Sequence, residues 1–421
     1  MRILVIGGGA REDALSWALS RSPSCEALFH APGNAGTALR GDNWEIAATD
    51  GKMLAEQARS AGIDLAVIGP ETAIAAGVGD RLRDAGIAVF GPNRSGGRLE
   101  SSKVFAKRFM ERHGVPTARA EVAHSLERAN AILDEWDGPV VLKADGLAAG
   151  KGVVVAPDVA AARAVVRDWY GNRRIPGGGS DILLEECLEG RELSLFALAD
   201  GRAMIPFAAA CDYKRAGEGD RGPNTGGMGA YSPPHGFPDD LLDRVRERIL
   251  APVLRGLLAE GEEYVGVLYC GLMWTADGPY VIEFNARFGD PETQAIMPRV
   301  RGDFAALLHS VASGAADPSL ATIAETHSVA VVLATEGYPA ASTPLHGLPA
   351  DLPLPEGSVA FWGASRRIGD RVDAGGGRVL TVAAEGPDLA EARRRAYGAI
   401  EALREPLARF PLSYRRDIAA F

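Results

Sequence analysis

Cysteine, basic charge and long apolar runs are all scarce in this 421-residue sequence. Its four cysteines are widely spaced, with no Cys-x-x-Cys pair, which argues against a disulfide framework and a zinc site. No apolar run approaches the roughly 18 residues of a membrane span, and no signal-peptide core follows Met1. The formal net charge of -10 argues against a surface that coats nucleic acid. We therefore expect a cytoplasmic protein that binds small anionic ligands, with no nucleic-acid partner and no membrane association.

The length and the pattern of apolar segments predict several α/β domains. A chain of 421 residues exceeds one ordinary core, and 47% apolar with 24% charged residues is typical of a globular protein. Residues 1–100 alternate short apolar runs with helical patterns, which predicts a βαβ series around a parallel sheet. A second small α/β unit is predicted at about 115–189, followed later by a hairpin whose turn is Asp277-Gly278. We interpret the proline-rich segment 345–357 as a loop.

The segment 281–294, Val-Ile-Glu-Phe-Asn-Ala-Arg-Phe-Gly-Asp-Pro-Glu-Thr-Gln, places polar side chains where a buried strand would be apolar. Because side chains alternate along a strand, Glu283, Asn285 and Arg287 share one face. Two oxygen ligands followed by a guanidinium suit a magnesium-bound polyphosphate, since the arginine can stabilise charge on a transferring phosphoryl group. A half-exposed strand with an ordinary salt bridge is the alternative interpretation.

Three further segments favour a nucleotide ligand. Residues 143–153 place Lys143 and Lys151 around small residues, which indicates a flap over phosphates or, alternatively, a tight hairpin with solvated lysines. Residues 185–194 form an acidic turn whose backbone can read an adenine edge, although acidic turns are usually only solvated. Residues 222–231 hold four glycines, which is typical of backbone that passes close to a ligand rather than of a flexible linker.

The glycine-rich segment 7–12 invites a dinucleotide-binding interpretation. That interpretation is weak, because Glu12 stands where the fingerprint has its third glycine and the second predicted strand ends without an acid for a ribose. A helix N-terminus nevertheless suits a monophosphate. With the loops at 32–37 and 69–71, this segment predicts a pocket for a phosphorylated sugar.

Taken together, these segments are similar to those of the ATP-grasp superfamily, and the resemblance extends over essentially the whole chain. It is carried by Arg11-Glu12, 31–37, 69–71, Ser102-Lys103, 143–152, Glu185-Glu186, Lys214-Arg215, 222–233, 269–273, 283–294, 375–380 and 414–418. The resemblance implies a multidomain α/β and α+β fold. Its parts would be an N-terminal parallel-sheet domain (1–100), a two-lobed ATP-grasp domain (101–318, lid lobe about 120–190) and a small C-terminal α/β domain (319–421).

The resemblance also implies an activity and its ligands. It implies ATP-dependent ligation of glycine to 5-phosphoribosylamine, through a glycyl phosphate, in purine synthesis. ATP and Mg²⁺ (or Mn²⁺) would be required, and the protein would be a monomer or a weak homodimer.

Position by position, the resemblance assigns roles to residues of this chain. The metal ligands would be Glu283 and Asn285, and the ATP-contacting residues Lys103, Lys143, Lys151, Glu185, Glu186, Leu188 and Glu192. The catalytic residues would be Arg287, Asp290 and Lys214. Glycine and the reacting amine would be surrounded by Asp212, Asn224, Thr225, Gly226 and Gly227. The phosphoribosyl group would be held by Gly9, Arg11, Glu12, Asn34, Gly36, Thr37 and Glu71.

Two segments depart from the pattern usual among similar ligases. Asp13 ends a segment that usually reads Gly-Arg-Glu-His, and residues 361–365 read Phe-Trp-Gly-Ala-Ser where Phe-His-Ala-Gly-Thr is usual. Either Asp13 lies at an exposed helix position and Trp362 is a packing residue, or the two mark an altered amine acceptor.

The closest rival function is an ATP-grasp ligase with a different acid or amine substrate. A nucleotide-sensing module would not need three aligned polar groups at 283–287. A dehydrogenase would need the fingerprint that Glu12 breaks.

Overall fold

A five-stranded parallel sheet forms the N-terminal part of the computed structural model, which describes residues 1–148, 152–172 and 175–421. Its elements are β1 (Arg2–Gly7), α1 (Ala10–Leu19), β2 (Ala27–Pro32), β3 (Asp42–Asn43), α2 (Gly51–Ser60), β4 (Leu65–Ile68), α3 (Glu71–Ala75), α4 (Val78–Asp84) and β5 (Ala88–Phe90). The strand order is β3-β2-β1-β4-β5 with parallel pairing throughout. The predicted parallel α/β fold of this part is therefore confirmed, and its ligand loops lie at the carboxyl ends of the strands.

A smaller antiparallel sheet follows and has a hydrophobic core of its own. Its elements, after α5 (Arg98–Ser101) and α6 (Lys103–Arg112), are β6 (Ala120–Ala123), α7 (Leu126–Asp134), β7 (Val140–Ala144), β8 (Val153–Ala156), α8 (Val159–Gly171) and β9 (Ile182–Glu186). The strand order is β6-β9-β7-β8, and α7 and α8 bury their apolar faces against it. A separate core means that this unit can move as a body relative to the rest of the chain.

The remaining chain builds one long antiparallel sheet. Its first elements are β10 (Arg191–Asp200), β11 (Met204–Asp212), β12 (Arg215–Gly217), β13 (Arg221–Asn224), β14 (Gly229–Ser232), α9 (Leu241–Val245), α10 (Ala251–Ala259), β15 (Val265–Thr275), β16 (Gly278–Asn285), α11 (Glu292–Ile296), β17 (Val300–Gly302), α12 (Phe304–Ala312) and β18 (Ala321–Ile323). The predicted hairpin is present between β15 and β16, where Gly278 adopts a φ of 107° next to Asp277.

The C-terminal part extends this same sheet. It contributes β19 (His327–Thr335), β20 (Leu345–Pro349), β21 (Ser358–Trp362), β22 (Ser365–Ile368), β23 (Arg371–Ala374), β24 (Arg378–Gly386), α13 (Leu389–Ala402), α14 (Arg404–Leu407) and β25 (Leu412–Ser413). The strand order of the long sheet is β16-β15-β10-β11-β14-β19-β24-β21, with β25 beside β19, whereas β12-β13, β17-β18 and β20-β23-β22 form separate small sheets. Strands from both sides of residue 318 thus pair in one sheet. The interpretation of 345–357 as a loop is wrong for its first five residues, because β20 pairs with β23 and its prolines lie at or beyond its end.

The helices are short and the large apolar side chains are distributed over three cores. Two of these cores join the N-terminal sheet to the long sheet, and the third belongs to the smaller sheet alone. Within 1–148, 152–172 and 175–421, no helix has the length and apolar character needed to cross a bilayer.

Candidate active site

A cleft lies between the smaller sheet, α6 and the end of β16. It encloses about 730 Å³ when the open solvent at its mouth is included. Its lining residues are Glu71, Leu99, Glu100, Lys103, Ala106, Lys107, Met110, Lys143, Gly146, Leu147, Ala148, Gly152, Val153, Glu185, Ile282, Glu283, Phe284, Asn285 and Arg287. The structure therefore brings together seven residues that the sequence assigned to ATP, metal, catalysis and sugar binding: Lys103, Lys143, Glu185, Glu283, Asn285, Arg287 and Glu71.

A β-bulge shapes the floor of the cleft. Glu283 pairs with Gly271 and Val281 with Leu272, so Ile282 between them has no partner across the hairpin. Its carbonyl is thereby free to accept a hydrogen bond from Lys143 Nζ at 2.7 Å. The bulge thus connects the strand that bears the candidate metal ligands to the lysine at the end of β7.

The oxygen donors of Glu283 and Asn285 fit a divalent cation that is completed by phosphate oxygens. Both side chains line the cleft, and Asn285 Oδ1 lies 3.3 Å from Arg287 Nη2. In the part of the chain that the structure describes, no group of three or more His, Cys, Asp or Glu side chains surrounds a potential metal position. Two protein oxygens suit Mg²⁺ bound with a polyphosphate, because this ion usually keeps water and phosphate in its coordination sphere.

Two buried lysines share one buried carboxylate beneath the cleft. Glu185 lies 2.7 Å from Lys143 Nζ and 3.0 Å from Lys107 Nζ, and Lys107 is only 2% exposed. Burial lowers the pKa of Lys107, and the Glu185 carboxylate opposes this effect. No sequence motif singled out Lys107, although its spacing of four from Lys103 in α6 predicts that both lie on one helix face.

We expect Glu185→Gln to destabilise the fold by about 3–5 kcal/mol, because it leaves buried ammonium groups without a counter-charge. Urea unfolding followed by circular dichroism measures the change. Glu401→Gln is the control, since Glu401 and Arg404 form an exposed pair on the C-terminal helices that is worth about 0–1 kcal/mol. Equal shifts in the two variants would contradict a structural role for the Glu185 carboxylate.

Arg287 is held by two carboxylates from the N-terminal half. Its Nη2 lies 2.9 Å from Glu100 Oε1 and its Nε 3.2 Å from Glu71 Oε2, while Glu100 Oε2 accepts a hydrogen bond from Ala286 N. Burial opposes the charge on Arg287, but Glu100 and Glu71 outweigh it and raise the pKa of the guanidinium. Burial also raises the pKa of Glu100. No sequence motif pointed to Glu100, and the contact alone assigns it to the site.

Lys214 lies at the centre of a second charged cluster. Its Nζ is 2.6 Å from Glu192 Oε2 and 3.4 Å from Asp212 Oδ1. Burial disfavours the ammonium, but the carboxylates of Asp212 and Glu192 outweigh burial and hold the pKa of Lys214 well above its usual range. Lys214 therefore remains charged, which suits a group that stabilises negative charge on a reacting acid.

The glycine-rich loop that follows Lys214 is fixed from two sides. Thr225 N and Oγ1 both donate to Lys214 O, and Gly227 N donates to Thr225 Oγ1. Arg378 Nη1 donates to Gly226 O at 2.7 Å, and its Nη2 lies 3.0 Å from Asp290 Oδ2. The sequence motif at 375–380 predicted no role for Arg378, and only its contacts with Gly226 and Asp290 assign it to the site.

The C-terminal tail anchors the β12–β13 hairpin of the same loop. Arg415, only 2% exposed, donates to Arg215 O and pairs with Asp220 and Asp417. Asp417 Oδ2 in turn accepts from Gly219 N at 2.8 Å. The tail thus holds the hairpin through one buried guanidinium. Asn224, the last residue of β13, pairs with Arg215 in this hairpin.

The side chain of Glu12 occupies the space beside the glycines that precede α1. Its Oε2 accepts from Gly9 N at 2.7 Å and its Oε1 lies 2.6 Å from Arg11 Nε. A Cβ on Gly7 would lie 2.6 Å from Glu12 Cγ, and one on Gly69 would lie 2.1 Å from Glu12 Oε1. The carboxylate therefore fills the space that a dinucleotide fingerprint keeps open, and Arg11 lies 4.0 Å from Glu71 beside it.

Asn34 organises the loop that follows β2. Its Oδ1 accepts from Gly36 N and Thr37 N, and its Nδ2 donates to Gly9 O and to Trp362 O. Both polar ends of the side chain are thus engaged within the protein. Thr37 is buried as well.

The remaining candidates lie at the cleft's edge or outside the described residues. Glu186 is exposed at the end of β9, its N–H donates to Arg119 O, and Leu188 is half-buried beyond it. Neither residue lines the cleft, nor does Glu192. Lys151 falls outside the residues that the structure describes.

Asp13 does not lie at an exposed helix position, and that expectation is wrong. Its side chain is fully buried, pairs with Arg40, and accepts a hydrogen bond from Trp362 N at 2.8 Å. Trp362 is buried in the core, as expected for a packing residue.

The stability of the protein should depend on pH through Asp13. Burial raises the pKa of Asp13 to about 6, although Arg40 and the Trp362 amide lower it. The folded state then holds the proton more tightly than the unfolded chain, so the free energy of unfolding should fall between about pH 4 and pH 6 and then level off. One pKa unit corresponds to about 1.4 kcal/mol, which gives a fall of about 3 kcal/mol. Urea unfolding across this range measures it, and an identical slope in Asp13→Asn would contradict the assignment.

Family models for phosphoribosylglycinamide synthetase match the chain in three consecutive segments. The N domain matches residues 1–100, the ATP-grasp (A) domain residues 101–293, and the C domain residues 328–421. The phosphoribosylamine–glycine ligase of Caulobacter vibrioides is 46% identical over 406 residues, which cover 96% of this chain and 95% of that protein. The Salmonella typhi protein of the same name is 44% identical over 410 residues, with coverage of 96% and 95%.

Solved structures agree with these matches. The crystal structure of phosphoribosylamine–glycine ligase from Thermotoga maritima superposes with a TM-score of 0.85 at 33% identity, covering 99% of this chain and 100% of that one. The biotin carboxylase domain of 2-oxoglutarate carboxylase from Hydrogenobacter thermophilus has a TM-score of 0.73 at 15% identity, covering 98% and 90%, and shares the fold alone. With its N-terminal parallel sheet, the cleft beneath the smaller sheet and these matches along nearly its whole length, the chain belongs to the phosphoribosylglycinamide synthetase family.

Proposed function

We propose that the protein ligates glycine to 5-phosphoribosylamine with cleavage of ATP to ADP and phosphate. The names of its relatives state the two ligated substrates, and the matching ATP-grasp domain model supports the use of ATP. The observation that carries the proposal is the meeting of Lys143, Glu283, Asn285 and Arg287 in one cleft, with Glu71 joining that cleft to the N-terminal loops. A glycine carboxylate oxygen attacks the γ-phosphorus of ATP, and ADP leaves. The amine of the phosphorylated sugar then attacks the acyl carbon, phosphate leaves, and the amide loses a proton.

The ATP site is the cleft under the smaller sheet, which we assign as the lid lobe of about 120–190 within a domain of 101–318. Lys103 and Lys143 provide positive charge, and Lys103 Nζ donates to Gly146 O in the glycine-rich flap. The segment 186–188 offers backbone groups to the adenine edge at the mouth of the cleft, and Glu192 accepts from the ribose. Lys151 completes the phosphate contacts by analogy with the family.

The divalent metal ion of this ATP-dependent chemistry, Mg²⁺ (or Mn²⁺), is assigned to Glu283 and Asn285. When bound, such an ion neutralises charge on the phosphates during transfer. Arg287, already oriented by Glu71 and Glu100, directs its guanidinium to the same end of the cleft, where negative charge develops in both steps.

The acid and the amine meet between Lys214 and the N-terminal loops. Lys214 and Arg287 provide fixed positive charge, and Asp212 and Asp290 with the loop of Asn224, Thr225, Gly226 and Gly227 surround glycine. Gly9, Arg11 and the loop 33–37 receive the phosphoribosyl group at the N-terminus of α1. Asn34, Thr37 and Glu12 support this pocket from within rather than by direct contact, because their polar atoms already have protein partners.

The test is ADP release from ATP and Mg²⁺ with phosphoribosylamine generated in situ, with and without glycine, together with mass detection of glycinamide ribonucleotide. We expect ADP and product to depend on glycine. ADP release that requires another amino acid or another amine would show that the assigned substrates are wrong, while the ATP-grasp reaction type would stand. No ADP release with any combination would exclude the function. Light scattering of the same sample tests the expected monomer or weak homodimer.

A further inference from the structure

A buried junction joins Asp13 to the segment 361–365 and to Arg40. Asp13 on α1 contacts Arg40, which follows the loop 33–37, and accepts a hydrogen bond from Trp362 N on β21 at 2.8 Å. The side chains of Asp13 and Trp362 are both buried. Asp13 and Trp362 are therefore two sides of one contact, although they lie 349 residues apart in the sequence.

The junction holds the loop 33–37 at three points. Arg40 Nη1, which contacts Asp13, also donates to Gly36 O at 2.6 Å. The carbonyl oxygen of Trp362 accepts a hydrogen bond from Asn34 Nδ2 at 2.7 Å. Ser365 Oγ accepts from Ala35 N at 3.3 Å. The position of this loop therefore depends on one carboxylate, one guanidinium and one segment of the C-terminal part.

Gly36 shows how closely the carboxylate approaches the loop. A Cβ at Gly36 would lie 1.9 Å from Asp13 Oδ2, so the loop backbone is in direct contact with Asp13. Any displacement of the carboxylate consequently shifts the loop 33–37 and, through Asn34 Nδ2, which donates to Gly8 O and Gly9 O, the backbone at the N-terminus of α1.

We propose that Asp13 is a positioning residue for the phosphorylated amine substrate, acting through Arg40 and the Trp362 peptide on the loop 33–37. This inference rests on the proposed function and deepens it. Asp13 and the segment 361–365 fix the loop 33–37 together, because the Trp362 peptide contacts both Asp13 and Asn34. The junction carries a buried ion pair, and such a pair is costly to break on one side only.

The experiment compares Asp13→Asn, Arg40→Gln and the double variant in steady-state kinetics with all three substrates. We expect the KM for phosphoribosylamine to rise about tenfold in each single variant and no further in the double, because both remove one contact. The KM values for ATP and glycine and the value of kcat should change less than about twofold. Asp80→Asn is the matched control. Asp80 lies in α4 of the N-terminal sheet domain and accepts a hydrogen bond from Arg94 N, away from the loop 33–37.

A second measurement does not depend on turnover. Calorimetric titration with ribose 5-phosphate should show about tenfold weaker binding in Asp13→Asn and unchanged binding in Asp80→Asn. If Asp13→Asn does not fold, Arg40→Lys replaces it, because lysine keeps the charge but cannot reach both Asp13 and Gly36 O in one geometry.

Several outcomes would overturn the proposal. They are equal rises in all three KM values, a fall in kcat alone, additive effects in the double variant, or ribose 5-phosphate binding that the variants leave unchanged. If the wild-type protein uses a different phosphorylated amine, the same selective rise is expected for that amine, so failure of the proposed substrate is distinguishable from failure of the positioning role.

Discussion

Glu283→Ala is expected to abolish ligation, with kcat/KM lower by about 10³-fold or more, because the variant removes one of two protein oxygens assigned to the metal. The fold should persist. Glu283 is half-buried at the cleft floor, and it has no ion pair within the described residues, so the substitution removes a ligand rather than core volume. We expect the free energy of unfolding to change by less than about 1 kcal/mol.

The measurement for Glu283 combines glycine-dependent ADP release with urea unfolding of the same preparations. Glu121→Ala serves as control, because Glu121 is an exposed carboxylate on β6 that lies outside the cleft lining. A titration with Mg²⁺ adds a direct readout, since the variant should require a higher concentration for any residual activity. Normal turnover in a folded Glu283→Ala protein would contradict the assignment of Glu283 as a metal ligand.

Arg287→Lys is expected to lower kcat by about 10²-fold, although the charge is retained. The guanidinium of Arg287 reaches Glu71 and Glu100 with separate nitrogens, and a single ammonium cannot reproduce that fork. Glu100 then loses part of its charge compensation while buried, so the free energy of unfolding should also fall by about 1–3 kcal/mol.

Two comparisons separate the charge of Arg287 from its orientation. Glu100→Gln keeps the guanidinium but removes one of its anchors, and we expect a smaller loss of kcat, about tenfold. Arg366→Lys is the control, because Arg366 forms only an exposed pair with Glu45. Steady-state kinetics and thermal unfolding of the four proteins measure the effects. An unchanged kcat in Arg287→Lys would show that the fork has no catalytic role.

Local patterns in the sequence were sufficient for much of the fold. The alternation within 1–100 predicted the parallel sheet, and Asp277-Gly278 predicted the hairpin that bears Glu283 and Asn285. These features depend on side-chain periodicity and on turn preferences, which act over a few neighbouring residues. The strand Leu345–Pro349 was missed for the complementary reason, since its pairing with β23 overrides the local signal of proline and glycine.

The contacts that build the site were less accessible to sequence reasoning. Glu100 contacts the segment at Ala286 across 186 residues of sequence, and no local pattern encodes such a partner. Arg378 reaches Asp290 from the C-terminal part across 88 residues. Asp13 was placed at the surface because a charged residue in a helix is usually exposed, and its buried partners come from Arg40 and from β21. Sequence patterns identified the chemical groups of the site, while tertiary structure determined which of them meet.

The anchoring of the β12–β13 hairpin by Arg415 couples the glycine-rich loop beside Lys214 to the folding of the C-terminal tail. The contact from Arg415 Nη1 to Arg215 O spans 200 residues, so its formation requires closure of a very long loop. The residues of β12 and β13 are half-buried or exposed, whereas those of β1 and β4 are almost all buried, so the hairpin should open locally before the parallel sheet is lost. Under mild denaturing conditions the population that retains its core should therefore exceed the population that can still bind glycine.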